Sequence, residues 1–166
     1  YIWIIGITNA VNLIDGLDGL ASGVSTITFM TMYILASFEG DYFVMTYTLI
    51  LAGSCTGFLV YNFHPAKIFM GDTGALFLGY IISVRSLMGF KNATFISLIV
   101  PILILGVPVF DTLFAIIRRK SRGQSFAQAD KEHLHHLLMT TNRSQTKTVL
   151  MIYSISIVFS GVAILY

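Results

Sequence analysis

Runs of apolar residues close to the length that crosses a bilayer recur along this chain, and short polar stretches separate them. A spanning helix needs roughly 20 mostly apolar residues, and such runs lie at about 20–38, 43–62, 74–89, 94–117 and 147–166. The composition agrees: 55% of the residues are hydrophobic and 11% charged, and the mean hydropathy is +0.80, outside the range of an ordinary soluble domain. The expectation is an all-α fold, a polytopic transmembrane helix bundle forming a single catalytic unit over 1–166. The segment Tyr1–Ile7 has neither the basic region nor the cleavage site of a signal peptide, so it reads as the tail of a further spanning helix in a chain that is a fragment. Cys55 is the single cysteine and sits inside an apolar run. An internal disulfide is therefore excluded, and packing is its expected role.

The net charge of +2 is too small to point to nucleic acid, and its distribution says more than its sum. If successive loops alternate sides, Lys67, Arg118, Arg119, Lys120, Arg122, Lys131, Arg143 and Lys147 collect on one side, and the other receives only Lys91. The positive-inside rule makes the first side cytoplasmic. The same alternation brings Asp15, Asp18, Asp72, Asp130, His64, His133, His135 and His136 to that face, with only Glu39 and Asp41 outside it. A random scatter of acids and histidines would not segregate in this way.

Three constellations on that face can carry chemistry. In Asn9–Leu20, Asn12, Asp15 and Asp18 recur every third residue, and on a helix they would lie along one side. Gly16 and Gly19 leave bare backbone beside them, which suits close approach of a ligand and is costly in a merely structural helix. The plain alternative is an interfacial helix start with Asp as its cap, but two carboxylates at a membrane entrance are expensive and usually functional. In Phe63–Gly74, Asp72 stands next to Gly71 at the start of a span, where the helix dipole favours an anion and a simple cap is an equal explanation. Taken singly, Lys67 reads as a solvated charge, His64 as a turn residue before Pro65 and Phe69 as an interfacial anchor. In Asp130–His136, three of the four histidines fall within four residues. On a helix His133 and His136 share a face with Asp130. Histidine can bind phosphate or a metal, and the neighbouring Arg118, Arg119, Lys120 and Arg122 favour an anionic substrate, although a positive-inside stop signal explains that basic run as well. Asp111 lies deeper, inside the span 94–117, and is read as a bond to a neighbouring helix. Pro101 and Pro108 flank Gly106 there, so a kink or break is expected.

Carboxylates that face phosphate need a counter-cation, and Mg²⁺ is the usual one, held by one or two carboxylates plus substrate phosphates. Acids, histidines and basic residues on one aqueous face outline phosphoryl transfer.

NAVNLIDGLDGLA, FHPAKIFMGDTGALFLGY and DKEHLHHLL resemble the motifs of polyprenyl-phosphate N-acetylhexosamine-1-phosphate transferases, membrane enzymes that begin bacterial envelope polymers. The resemblance covers nearly the whole chain, with the motifs in the family's order. It implies transfer of a sugar phosphate from a UDP-N-acetylhexosamine to undecaprenyl phosphate at the cytoplasmic face of the bacterial inner membrane, giving a lipid-diphospho-sugar and UMP. It further implies Asp72 as a ligand of Mg²⁺, with Mn²⁺ as the substitute, and Phe69 as a stacking surface for uracil. Asn12, Asp15 and Asp18 become nucleotide and catalytic-cleft residues, and His133, His135 and His136 contact the sugar-phosphate part of the donor. Lys67 and Asp130 adjoin these motifs. A homodimer is one assembly compatible with the family.

The form Asp-Lys-x-His-Leu-His-His is closer to the branch that uses UDP-N-acetylglucosamine for teichoic acid or O-antigen-type polymers than to the muramoyl-pentapeptide branch. Two departures stand out. The family's paired aspartates are expected upstream of Tyr1, so these 166 residues are expected to be inactive alone, and Leu137 follows His136 where the branch commonly has Arg. The competing readings are an ion-coupled transporter, which should hold its acids near the bilayer midplane, and a zinc-dependent hydrolase using the histidines.

Overall fold

The computed structural model describes residues 1–88, 102, 105–121 and 144–165. The described part is built of α-helices: α1 (Ile2–Ile14), α2 (Leu20–Glu39), α3 (Tyr42–Asn62), α4 (Gly71–Met88), α5 (Gly106–Ser121) and α6 (Gln145–Leu165). Of these, α2, α3 and α6 are long and apolar enough to cross a membrane. Each of α2 and α3 covers about 30 Å at 1.5 Å per residue, the thickness of a hydrocarbon core. The span anticipated at 94–117 lies partly outside the described residues; within it, α5 starts at Gly106. Pro108 falls in its first turn, where the missing N–H has no intrahelical partner to lose.

Chain punctuation sets where the helices stop. Gly40, at φ +70, closes α2, and Asp41 caps α3 by accepting from the Val44 N–H at 3.1 Å. Several threonine and serine hydroxyls turn back onto their own helices: Thr48 donates to the Val44 carbonyl and Thr56 to the Ala52 carbonyl.

Helix α2 is the axis of the bundle, packed against α3 along its length and also against α6 and α4. α1 lies against α4 and α5. Two buried clusters result. One gathers Ile7, Val11, Phe29, Met32, Ile82 and Leu105; the other, nearer the loops, gathers Ile14, Leu17, Leu20, Val24, Val149 and Ile152. Packing in lipid rests on close backbone approach rather than water exclusion, and two glycines provide it. A Cβ on Gly79 of α4 would lie 2.8 Å from Thr8 Cα of α1, and one on Gly23 of α2 would fall inside the Tyr153 ring of α6. Cys55 is buried and free.

Candidate active site

The loops 15–19 and 63–70 meet at one end of the bundle. The first begins where α1 ends at Ile14, with Asp15 as its C-cap and the Asp15 N–H bonded to the Asn12 carbonyl at 3.2 Å. The repeat of Asn12, Asp15 and Asp18 along one helical side therefore does not continue to Asp18. The helix has already ended at Ile14, with Asp15 outside helical geometry at φ −75, ψ 39, and beyond Asp18 the N-cap of α2, Gly19, takes φ +79, a left-handed conformation that glycine adopts freely.

Asn62, buried at the end of α3, ties the two loops together. Its Oδ1 accepts from the Gly19 N–H at 3.2 Å and from the Ser22 hydroxyl at 2.8 Å, and its Nδ2 donates to the Ile68 carbonyl at 2.9 Å. Gly19 is hemmed in as well: a Cβ there would lie 3.1 Å from the Phe63 ring. Its carbonyl accepts a hydrogen bond from the Tyr153 hydroxyl of α6.

On this frame the carboxylates separate into two roles. Asp72, in the first turn of α4, accepts from Asn12 Nδ2 at 3.1 Å across 60 residues of sequence. Asp15 is partly buried beside it, and its carboxyl is pushed up to about 6, first by burial and then by the negative charge of Asp72. Asp18 faces elsewhere. Its Oδ2 lies 2.8 Å from His64 Nδ1 and accepts from the Ala66 N–H at 3.2 Å. The His64 hydrogen bond is the largest cause that holds this carboxyl below its ordinary value, burial opposes it, and Ala66 and Gln145 add to the lowering. The acid that acts on Asp15 is thus Asp72.

Phe69 is 76% exposed, so a ring face is open for stacking, and Lys67 beside it is exposed. Asp130, His133, His135 and His136 lie outside the described residues, as do Lys131, Arg122 and Arg143. Arg118, Arg119, Lys120 and Asp111 lie on α5, but their side chains are outside the description. Three positions that patterning did not single out matter here: Asn62, His64 as the partner of Asp18, and Tyr153. Asn62 and Tyr153 sit at or within apolar runs, and no local signal separates them from interfacial residues.

Two carboxylates from different loops brought side by side form a place where a cation is stabilised. Among the described residues no three acidic, histidine or cysteine side chains converge. A hard cation here would have two carboxylates from the described chain and take other oxygens from phosphate or water, the way Mg²⁺ is usually bound. The donor set fits.

Comparison with known proteins places this geometry in context. Residues 1–90 match the model of a family described as glycosyl transferase family 4. The chain is 54% identical over 164 residues to a protein of Bacillus subtilis named "Probable undecaprenyl-phosphate N-acetylglucosaminyl 1-phosphate transferase", covering 98% of this chain and 46% of that protein. It is 39% identical over 169 residues to a decaprenyl-phosphate N-acetylglucosaminephosphotransferase of Mycobacterium leprae (90% and 42% covered). It is 38% identical over 161 residues to a phospho-N-acetylmuramoyl-pentapeptide-transferase of Moorella thermoacetica (95% and 48% covered). The chain spans about half the length of the curated relatives it matches. With three helices long enough to cross a bilayer and relatives of this kind, it is a membrane protein.

Proposed function

Because the chain belongs to glycosyl transferase family 4, we propose that the whole protein transfers N-acetylglucosamine 1-phosphate from UDP-N-acetylglucosamine to undecaprenyl phosphate. An oxygen of the lipid phosphate attacks the sugar-bearing phosphorus of the donor. A new P–O bond forms, the P–O bond to the uridine monophosphate breaks, and UMP leaves with the electron pair. The observation that carries this reading is the Asp15–Asp72 pair, two carboxylates from different loops, with Asp15 lifted to about 6 by burial and, second, by the charge of Asp72.

Asp72 and Asp15 would hold the cation, with Asn12 orienting Asp72 through its amide. When bound, Mg²⁺, or Mn²⁺ in its place, supplies neutralisation of the donor diphosphate. Phe69 offers its exposed ring to the uracil, and Lys67 offers a cation to phosphate. Asp18 holds His64 and the backbone at Ala66 in place, and so keeps the loop carrying Phe69 and Lys67 against the α1–α2 turn. His133, His135 and His136 are proposed to contact the sugar phosphate, as the motif resemblance implies.

The 54% identity to the Bacillus subtilis relative, against 38% to the muramoyl-pentapeptide relative, supports the choice of sugar. The basic residues Lys67 and Lys147, with the run Arg118–Lys120, support a cytoplasmic position for this end of the bundle.

The test uses the full-length protein carrying Asp72→Asn, assayed for UMP release from UDP-N-acetylglucosamine with Mg²⁺ and polyprenyl phosphate. Loss of one charge-stabilising group should lower turnover by about 100-fold or more. Wild-type turnover in the variant defeats the assignment.

A further inference from the structure

At the end of the bundle away from these loops, a second charged group stands in apolar surroundings. Arg85, in the last turn of α4, lies about 20 Å along the helix from Asp72 at 1.5 Å per residue. Its guanidinium carbon sits 5.6 Å over the Phe43 ring and 4.9 Å over the Tyr47 ring, and these rings are themselves stacked at 6.4 Å on α3. The aromatic faces hold one side of the cation. The other requirement of a guanidinium, acceptors for its N–H groups, is not met at two of its nitrogens: Nε and Nη2 are buried and have no hydrogen-bond partner among the described residues.

A cleft of about 30 Å³ opens beside Arg85, with Met32, Leu35 and Val44 among its walls. That volume exceeds the space one water needs. The neighbouring Ser86 hydroxyl accepts from Trp3 Nε1 at 2.9 Å and donates to the Ser83 carbonyl at 2.8 Å, and among the described residues it is not bonded to Nε or Nη2 of the guanidinium. Exposed Glu39 borders the same cleft, yet the one ion pair among the described residues joins His64 to Asp18.

We propose that Arg85 and this cleft bind the phosphate of an anionic membrane phospholipid at the face opposite the active site. Several features meet in that ligand. The Nε and Nη2 edge of the planar fork matches two phosphate oxygens. An otherwise apolar wall suits the start of an acyl chain. The site is at the end of a spanning bundle, at the turn Glu39–Asp41, which is headgroup depth. A buried cation in a membrane protein keeps its charge at high cost unless such a partner is present. Glu39 restrains affinity by its charge, so its removal should strengthen binding.

The experiment titrates the purified, delipidated full-length protein in neutral detergent with phosphatidylglycerol, phosphatidylcholine or inorganic phosphate, reading bound lipid by native mass spectrometry and stability by thermal shift. Phosphatidylglycerol should bind at least tenfold more tightly than phosphatidylcholine. Arg85→Gln should abolish that preference, Arg85→Lys should keep part of it, and Glu39→Gln should increase it. Leu35→Trp, which fills the cleft and leaves the arginine, should weaken binding like Arg85→Gln and serves if the latter does not fold. Undiminished phosphatidylglycerol binding by Arg85→Gln or Leu35→Trp overturns the proposal. Equal stabilisation by inorganic phosphate overturns the lipid assignment.

Discussion

His64 Nδ1 lies 2.8 Å from Asp18 Oδ2, joining a histidine that precedes a proline to the second carboxylate of the first loop. The contact makes Asp18 a brace between the two loops, separate from the Asp15–Asp72 pair. Because the Asp18 carboxyl is held below its ordinary value of 3.8, its contribution to stability is complete above that value and fades as pH falls through the lower, folded value. Asp18→Asn should therefore lower the thermal midpoint by a few degrees at pH 7, and the difference from wild type should shrink on acidification below about pH 4. Thermal unfolding in detergent across that range measures it. A gap that stays constant with pH would show that charge has no part in the contact.

Asp15 behaves in the opposite sense. Its carboxyl is raised from 3.8 to about 6, so the folded protein binds this proton more tightly than the unfolded chain does. The penalty of ionising Asp15 grows as pH rises from 3.8 to about 6 and is constant above. Without divalent cation, Asp15→Asn should stabilise the protein at pH 7 and leave it unchanged below about pH 4. With millimolar Mg²⁺ the wild type should recover stability and the variant should not. Failure of the cation to favour wild type would remove Asp15 from the cation site.

Close approach of α1 and α4 positions Asn12 against Asp72. A Cβ at Gly79 would lie 2.8 Å from Thr8 Cα, and that contact is backbone, which does not yield as a side chain would. Gly79→Ala should cost about 1–3 kcal/mol through overpacking and reduce turnover by separating Asn12 from Asp72. Gly57→Ala on α3 meets nothing within 4 Å and should be neutral. Equal thermal midpoints for the two variants would contradict the role given to Gly79.

Much of the architecture was open to reading because the bilayer imposes a length. The apolar runs at about 20–38 and 43–62 correspond to helices Leu20–Glu39 and Tyr42–Asn62, with Gly40 and Asp41 dividing them as turn residues should. The pairing of Asp72 with the first loop followed from charge segregation onto one face. The divergence of Asp18 did not, because periodicity assumes a continuing helix and α1 stops at Ile14, with Asp15 already outside helical geometry. Nor did Asn62, two of whose three hydrogen bonds run to Gly19 and Ser22, some 40 residues away in sequence. The aromatic seat of Arg85 is formed by another helix, so nothing local to Arg85 marks it.

The hydrogen bond from Tyr153 to the Gly19 carbonyl connects residues 134 positions apart. The turn that carries Asp15 and Asp18 is thus buttressed by the last described helix to leave the ribosome, and Gly23 leaves open the space that the tyrosine ring fills. During synthesis the first helices can insert and pair, but this end of the bundle stays unfinished until α6 arrives. A chain stalled before Tyr153 would carry both loop acids with that buttress missing.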